Sequence, residues 1–205
     1  MHAEVLIKEA SKLFPTFRYF KDFYLVGGTA LALHIGHRQS VDFDFFSEKP
    51  LPDGLLRKVK RVFTPRLITV TYQSPEQLNL IVDGVKITFF YYPYSVLDPF
   101  VSYKGIAVAS VREIALMKAF SIGKRLSYKD YVDWYFLLKE KLAALDDVLS
   151  RAKKKFGGDF NDRLFLGQLV SIEDVPEQKI DFVRDMVARA TIEKTLRQAV
   201  KDLKV

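Results

Sequence analysis

Residues 26–46 read VGGTALALHIGHRQSVDFDFF and leave the backbone few choices. The apolar run FYLV at residues 23–26 stops at Gly27-Gly28, the mark of a short buried strand. Residues 29–35 are rich in Ala and Leu and close on Gly36, which predicts a short helix with a glycine stop. Over residues 41–46, Asp42 and Asp44 alternate with Phe43 and Phe45, which predicts a second strand. The order is therefore strand, Gly-Gly-Thr, helix, Gly-His-Arg, Ser, then Asp-x-Asp on a neighbouring strand.

The flanking sequence extends this mixed pattern. Residues 3–14 read as a helix ended by Pro15, and residues 53–63 have helical spacing. Residues 67–72 are rich in β-formers, and residues 106–108 make a further short strand. Residues 78–82 and 85–91 flank Asp83-Gly84, a two-residue turn that favours a hairpin. After Ser110 the period becomes helical, over residues 116–125, 131–142, 145–156 and 180–203. Ser110…Glu113 and Ser127…Asp130 resemble helix-start capping boxes, the second with Asp in place of Glu. Gly157-Gly158 is the clearest linker in this half. The expected fold is α+β: a mixed α/β region over residues 1–110 and an all-helical region over residues 111–205.

Composition narrows the chemistry. The chain has 205 residues, 49% of them hydrophobic and 14% aromatic, enough to build a sizeable core. Cysteine is absent, which removes disulfides, thiolate metal sites and a Cys nucleophile. Three histidines make an all-His zinc cage improbable. The first residues carry two acids and two lysines, unlike a signal peptide, and no apolar run suits a membrane span, so a cytoplasmic location is expected. The net charge of +7 favours anionic partners. Its local clusters are Arg57-Lys58-Val59-Lys60-Arg61, Lys124-Arg125 with Lys129, and Lys153-Lys154-Lys155. Each reads first as a solvated helix face and secondly as a surface for nucleic-acid phosphates.

The residues of the central segment fit a metal and a polyphosphate. Asp42 and Asp44 project from one side of their strand, and two carboxylates so close both ionise favourably with a cation between them. Oxygen ligands at this spacing suit Mg²⁺, which binds one or two carboxylates plus substrate phosphates. Gly27 and Gly28 let the backbone approach a phosphate, and helix-start amides attract anions. Thr29 adds a hydroxyl, while Arg38 and Ser40 stand where they would hold the same polyphosphate. His34, inside an Ala/Leu helix, reads as a packed or satisfied histidine. His37 reads as solvent-facing on a surface loop.

The pattern GGTALAL…GHR.S.DFDFF resembles the AbiEii/AbiGii-type toxin family, minimal nucleotidyltransferases of the polymerase-β-like superfamily. The resemblance continues through EIALMKAFSIGKRLSYKDYVDWYFLL, where Lys118, Arg125, Lys129, Asp130 and Asp133 match a recurring K…R…KD..D helical pattern. It implies a nucleotidyltransferase sheet with flanking helices, Gly27, Gly28 and Thr29 as the phosphate loop, and Asp42 and Asp44 as the metal pair. It further implies that Lys118 and Asp130 contribute to catalysis; Lys129, beside Asp130, is a candidate for the nucleotide alongside Arg38 and Ser40. Taken without the resemblance, Lys129 and Asp133 are an i,i+4 surface pair worth only ~0.3–0.5 kcal/mol, and Lys118 is an exposed helix residue. One departure stands out: the later strand that carries a third carboxylate in many catalytic members holds Thr88 here.

The implied activity is Mg²⁺-dependent transfer of a nucleoside monophosphate from an NTP to an acceptor hydroxyl. The implied partners are an RNA acceptor, tRNA among the options, and a cognate antitoxin. The alternatives are a small-molecule nucleotidyltransferase and a nucleotide-binding module that lost its chemistry at Thr88.

Overall fold

The computed structural model describes residues 1–122, 124 and 127–203. A 3₁₀ turn at Ala3–Val5 is followed by α1 (Lys8–Leu13) and a second 3₁₀ stretch, Phe14–Tyr19. The single helix expected over residues 3–14 is thus broken into pieces. Pro15 sits in the first turn of the second 3₁₀ stretch, where its missing N–H costs nothing, rather than ending a helix. Then come β1 (Tyr24–Val26), α2 (Gly27–Ile35), β2 (Phe43–Ser47) and α3 (Leu55–Phe63). Gly36 closes α2 at φ 66°, the left-handed cap that its position predicts.

The remaining strands are β3 (Ile68–Gln73), β4 (Gln77–Val82), β5 (Val85–Tyr91), β6 (Val101–Tyr103) and β7 (Ile106–Val108). Asp83 and Gly84 both take positive φ and join β4 to β5 as the expected hairpin. The β6–β7 hairpin around Lys104-Gly105 is unforeseen except for β7, because a three-residue strand carries almost no periodic signal. Among the described residues these strands form one seven-stranded sheet, ordered β3-β4-β5-β2-β1-β7-β6. β2 runs antiparallel to β1 and parallel to β5.

One face of the sheet explains the phenylalanine content. Phe43 and Phe45 of β2 pack on Phe17 at 4.7 and 4.5 Å between ring centroids, and Phe89 of β5 packs on Phe20 and Phe23. Phe63 carries α3 onto the same cluster through Phe17 and Phe20. The other face presents Asp44, Phe46, Thr88 and Phe90.

The later helices are α4 (Val111–Ser121), α5 (Tyr128–Lys139), α6 (Leu145–Phe156), α7 (Asp162–Val170) and α8 (Arg189–Lys201); α4 faces this second face across a cavity, α5 packs on α2, and α8 packs on α5 and α7. Ser110 caps α4 by accepting from the Glu113 backbone N–H at 3.1 Å. Ser127 makes no side-chain cap at α5: the Asp130 backbone N–H donates to the Ser127 carbonyl at 3.0 Å, and the Asp130 carboxylate turns inward to Lys118. The helix expected over residues 180–203 begins only at Arg189. Upstream, the chain pairs with residues 37–39: Gln39 donates to the Asp181 carbonyl at 2.8 Å and Val183 to that of His37 at 3.1 Å. That backbone pairing overrides the local apolar spacing. Gly157-Gly158 form a 3₁₀ turn rather than a free linker, and Asp159 in that turn accepts from the Tyr94 hydroxyl at 2.6 Å. Lys155 is buried against Glu113 at 2.6 Å, so the lysine run is not a wholly solvated face. Among the described residues no helix is long and apolar enough to cross a membrane.

Candidate active site

The site grows from the β1–α2 junction. Gly27 takes φ +72°, a conformation that other residues resist, and a Cβ there would lie 2.6 Å from Asp44 Oδ2. A Cβ on Gly28 would lie 2.6 Å from Arg38 Nη2. Both glycines therefore keep the start of α2 bare where a carboxylate and a guanidinium crowd it. Thr29 and Ser40, both buried, share a hydrogen bond of 2.7 Å, and the Thr29 hydroxyl also donates to the Asp42 carbonyl. These two hydroxyls tie α2 to the chain entering β2 and fix where Asp42 stands.

Asp42 lies one residue before β2 and is exposed, whereas Asp44 sits inside the strand and is half-buried. The strand expected from residue 41 thus starts later, at Phe43, yet both carboxylates line one polar cavity of about 220 Å³. Gly28, Thr29, Arg38 and Ser40 line it on the α2 side, and Lys118, Lys129 and Asp130 line it from the helical half. Asp44, Gly27 and Lys118 also border a second cavity of about 400 Å³, walled by aromatic residues. Asp44 and Lys118 stand where the two cavities meet.

Beneath them lies an ion cluster that sequence spacing did not disclose. Arg38 forks onto Asp133, with Nε 2.7 Å from Oδ1 and Nη2 2.9 Å from Oδ2. Lys118 Nζ lies 2.8 Å from Asp130 Oδ1 and 2.5 Å from Asp133 Oδ2. His37 Nε2 completes the cluster, 2.6 Å from Asp133 Oδ1. His37 is therefore fully buried rather than solvent-facing, and Asp133 is no surface partner of Lys129, which is exposed at the cavity rim. Arg125 lies outside the described residues. His34 is satisfied by the Ala109 carbonyl at 2.8 Å, as its apolar setting predicts.

Burial works against the charges of Lys118 and Asp133, and their partners outweigh it. Burial opposes the Lys118 ammonium, yet Asp130 and Asp133 raise its pKa above the ordinary lysine value. Burial likewise opposes the Asp133 carboxylate, but Arg38, Lys118 and His37 hold it well below the ordinary range. His37 goes the other way: burial pushes it below its ordinary value, and Asp133 only partly opposes this.

The sign of a pH effect follows. The unfolded chain protonates this histidine at a higher pH than the folded protein does, so stability falls as pH drops below about 6.5. Thermal melts at about pH 7.5 and 5.5, on either side of that value, should show a lower Tm in acid, and His37→Gln should shrink the difference. An unchanged difference in the variant would assign the acid sensitivity elsewhere.

Can these residues hold a metal? Asp42 and Asp44 supply oxygen ligands only, and across the β2–β5 register Asp44 faces Thr88, a hydroxyl in place of a third acid. Among the described residues no group of three or more His, Cys, Asp or Glu is placed to hold an ion. Two carboxylates suit a hard ion that takes its other ligands from substrate phosphates and water. The set fits Mg²⁺ held together with a nucleotide.

Residues 11–102 match the family model described as the nucleotidyl transferase AbiEii toxin of type IV toxin–antitoxin systems. An uncharacterized protein of Aquifex aeolicus is 38% identical over 163 residues, 77% of each chain. The chain belongs to the AbiEii nucleotidyltransferase toxin family. The AbiEii match contains Gly27, Gly28, Asp42, Asp44 and Thr88, while Lys118, Asp130 and Asp133 join them through the geometry above. A Helicobacter pylori structure described as a nucleotidyltransferase has the same fold, with a TM-score of 0.61 at 20% identity over 91% of this chain and 88% of its own. JHP933 from Helicobacter pylori also shares the fold, with a TM-score of 0.52 at 18% identity over 94% and 95%. As an AbiEii member this chain is a nucleotidyltransferase.

The cavity walls escaped sequence reasoning. Phe46, Phe90, Tyr92 and Phe120 read as ordinary core aromatics, and nothing in their spacing separates a cavity wall from a packed core. For Asp133 a signal existed: an acid set between Val132 and Trp134 in an otherwise apolar helical run demands a buried partner.

Proposed function

We propose that the protein transfers a nucleoside monophosphate from an NTP to an acceptor hydroxyl with Mg²⁺ held by Asp42 and Asp44. The observation that carries this reading is the position of Asp44, where an aromatic cavity and a polar cavity meet at the glycine-opened start of α2. The aromatic cavity suits the base and ribose, the amides of Gly27 and Gly28 suit the phosphates, and the polar cavity suits the acceptor. In the reaction the acceptor hydroxyl releases its proton to solvent, its oxygen bonds to the α-phosphorus, the bond from that phosphorus to the bridging oxygen breaks, and pyrophosphate leaves. Mg²⁺ bound there supplies neutralisation of the charge on the α-phosphate and the departing pyrophosphate. Lys118, fixed by Asp130 and Asp133, supplies a second positive charge at the junction. Asp130, whose side chain lines the polar cavity, orients the acceptor hydroxyl. Arg38 acts through structure, since its fork on Asp133 braces the floor under Gly28.

On this reading residues 1–110 form the nucleotide-binding unit and residues 111–205 complete the cleft. An RNA acceptor, tRNA included, is supported by the net charge of +7 and by exposed Lys129 at the rim of the polar cavity. The basic stretch of α3 does not serve this cleft, because α3 packs on the opposite face of the sheet. Membership in a toxin–antitoxin family supports a cognate antitoxin as protein partner, and a cytoplasmic setting accords with the use of NTPs.

The test incubates the protein with Mg²⁺, total tRNA and each α-labelled NTP in turn. Label should enter RNA with at least one NTP, and Thr88→Ala should retain transfer, because its hydroxyl has no assigned chemical role. Label on a small hydroxylated compound alone would replace the acceptor while keeping the reaction. Thr88 at the third-acid position favours one second reading, a nucleotide-binding module. Tight NTP binding without transfer to any acceptor would establish it.

A further inference from the structure

The cavity of about 400 Å³ beside Asp44 has two unlike ends. Gly27, Asp44 and Lys118 form the end already assigned to phosphate chemistry. Gln77 and Asn79 of β4 line the same cavity from farther across the sheet. The register sets their distance: Asn79 lies opposite Thr88, and Thr88 opposite Asp44. One row of side chains therefore crosses two strand spacings, about 10 Å, from the carboxylate to the carboxamide. That is the reach of a nucleoside from its 5′ phosphate to the outer edge of its base. In the adjacent row Phe46 lies opposite Phe90 and Phe90 opposite Gln77, and these rings with Tyr92 share the cavity wall with Met117 and Phe120 of α4, a slot in which a flat ring stacks.

Gln77 Nε2 donates to Asn79 Oδ1 at 2.9 Å, so each carboxamide fixes the other. Whichever way the two amides are turned together, the pair keeps one complete NH₂ group and one carbonyl oxygen for a further partner. A solvated polar pair needs no such bracing, and these residues are half-buried inside an aromatic slot. A donor beside an acceptor is the chemistry that tells one base edge from another.

We propose that Gln77 and Asn79 read the base edge of the incoming NTP and so set which nucleotide this enzyme transfers. The inference rests on the nucleotidyltransferase reading of the site. The test measures Kd for ATP, GTP, CTP, UTP and inorganic triphosphate, each with Mg²⁺, by calorimetry. The wild type should prefer one NTP over at least one other by about tenfold. Asn79→Leu and Gln77→Leu should bring the four NTPs within about threefold of one another and leave inorganic triphosphate unchanged. Asn79→Asp, which exchanges a donor for an acceptor, should move the preference to another base, an outcome that a purely structural role would not give. Four equal affinities in the wild type, or an unaltered ranking in the variants, would overturn the inference while the nucleotide site stands. Failure of both NTPs and inorganic triphosphate to bind would overturn the site itself and the inference with it.

Discussion

Asp44→Asn is expected to lower kcat/KM for nucleotidyl transfer by on the order of 10³, about 4 kcal/mol of transition-state stabilisation, with the fold intact. The substitution keeps the volume and removes the charge at the junction of the two cavities. Asp42→Asn should lose activity too, but Asp42 is exposed and borders only the polar cavity, so the smaller loss is expected there. The two losses should not add, because both carboxylates act through one bound ion. Raising Mg²⁺ should recover part of the Asp42→Asn activity and little of that of Asp44→Asn. The measurement is label transfer against Mg²⁺ concentration for wild type, both single variants and the double variant, with thermal melts as the check on folding. Full activity in Asp44→Asn would remove the metal pair from the mechanism.

Local chemistry made the strand–glycine–helix–strand core legible. Gly27 and Gly28 mark the end of β1 because an L side chain would meet Asp44 or Arg38 there, and Gly36 marks the end of α2 by its left-handed backbone. The Phe43 and Phe45 alternation fixes which face of β2 is buried. Partners distant in the chain were not legible. His37 and Arg38 look like loop residues until Asp133, more than ninety positions later, is brought against them. The Lys129 and Asp133 spacing assumes a solvated face on α5, but residues 130–137 are buried throughout. The aromatic slot was equally hidden, since alternation along β4 and β5 separates the two faces of the sheet without saying that one is left partly open.

That hidden cluster yields the largest stability effect. Asp133→Asn is expected to destabilise the fold by about 3–5 kcal/mol, because it leaves two buried cations with one carboxylate between them. For a chain of this size the shift in Tm is on the order of 10 °C. The cause is not a lost attraction alone. Arg38 and Lys118 have already given up their hydration, and Asp133 is the group that compensates both. Removing one of the two buried cations should therefore recover part of the loss: Asp133→Asn with Arg38→Met should be more stable than Asp133→Asn alone, although it carries one substitution more. Urea unfolding of wild type, both singles and the double variant gives the coupling directly. A Tm within about 2 °C of wild type in Asp133→Asn would show that the cluster carries little of the fold's stability. A double variant less stable than Asp133→Asn would show that Arg38 matters through its packing against α2 rather than through its charge.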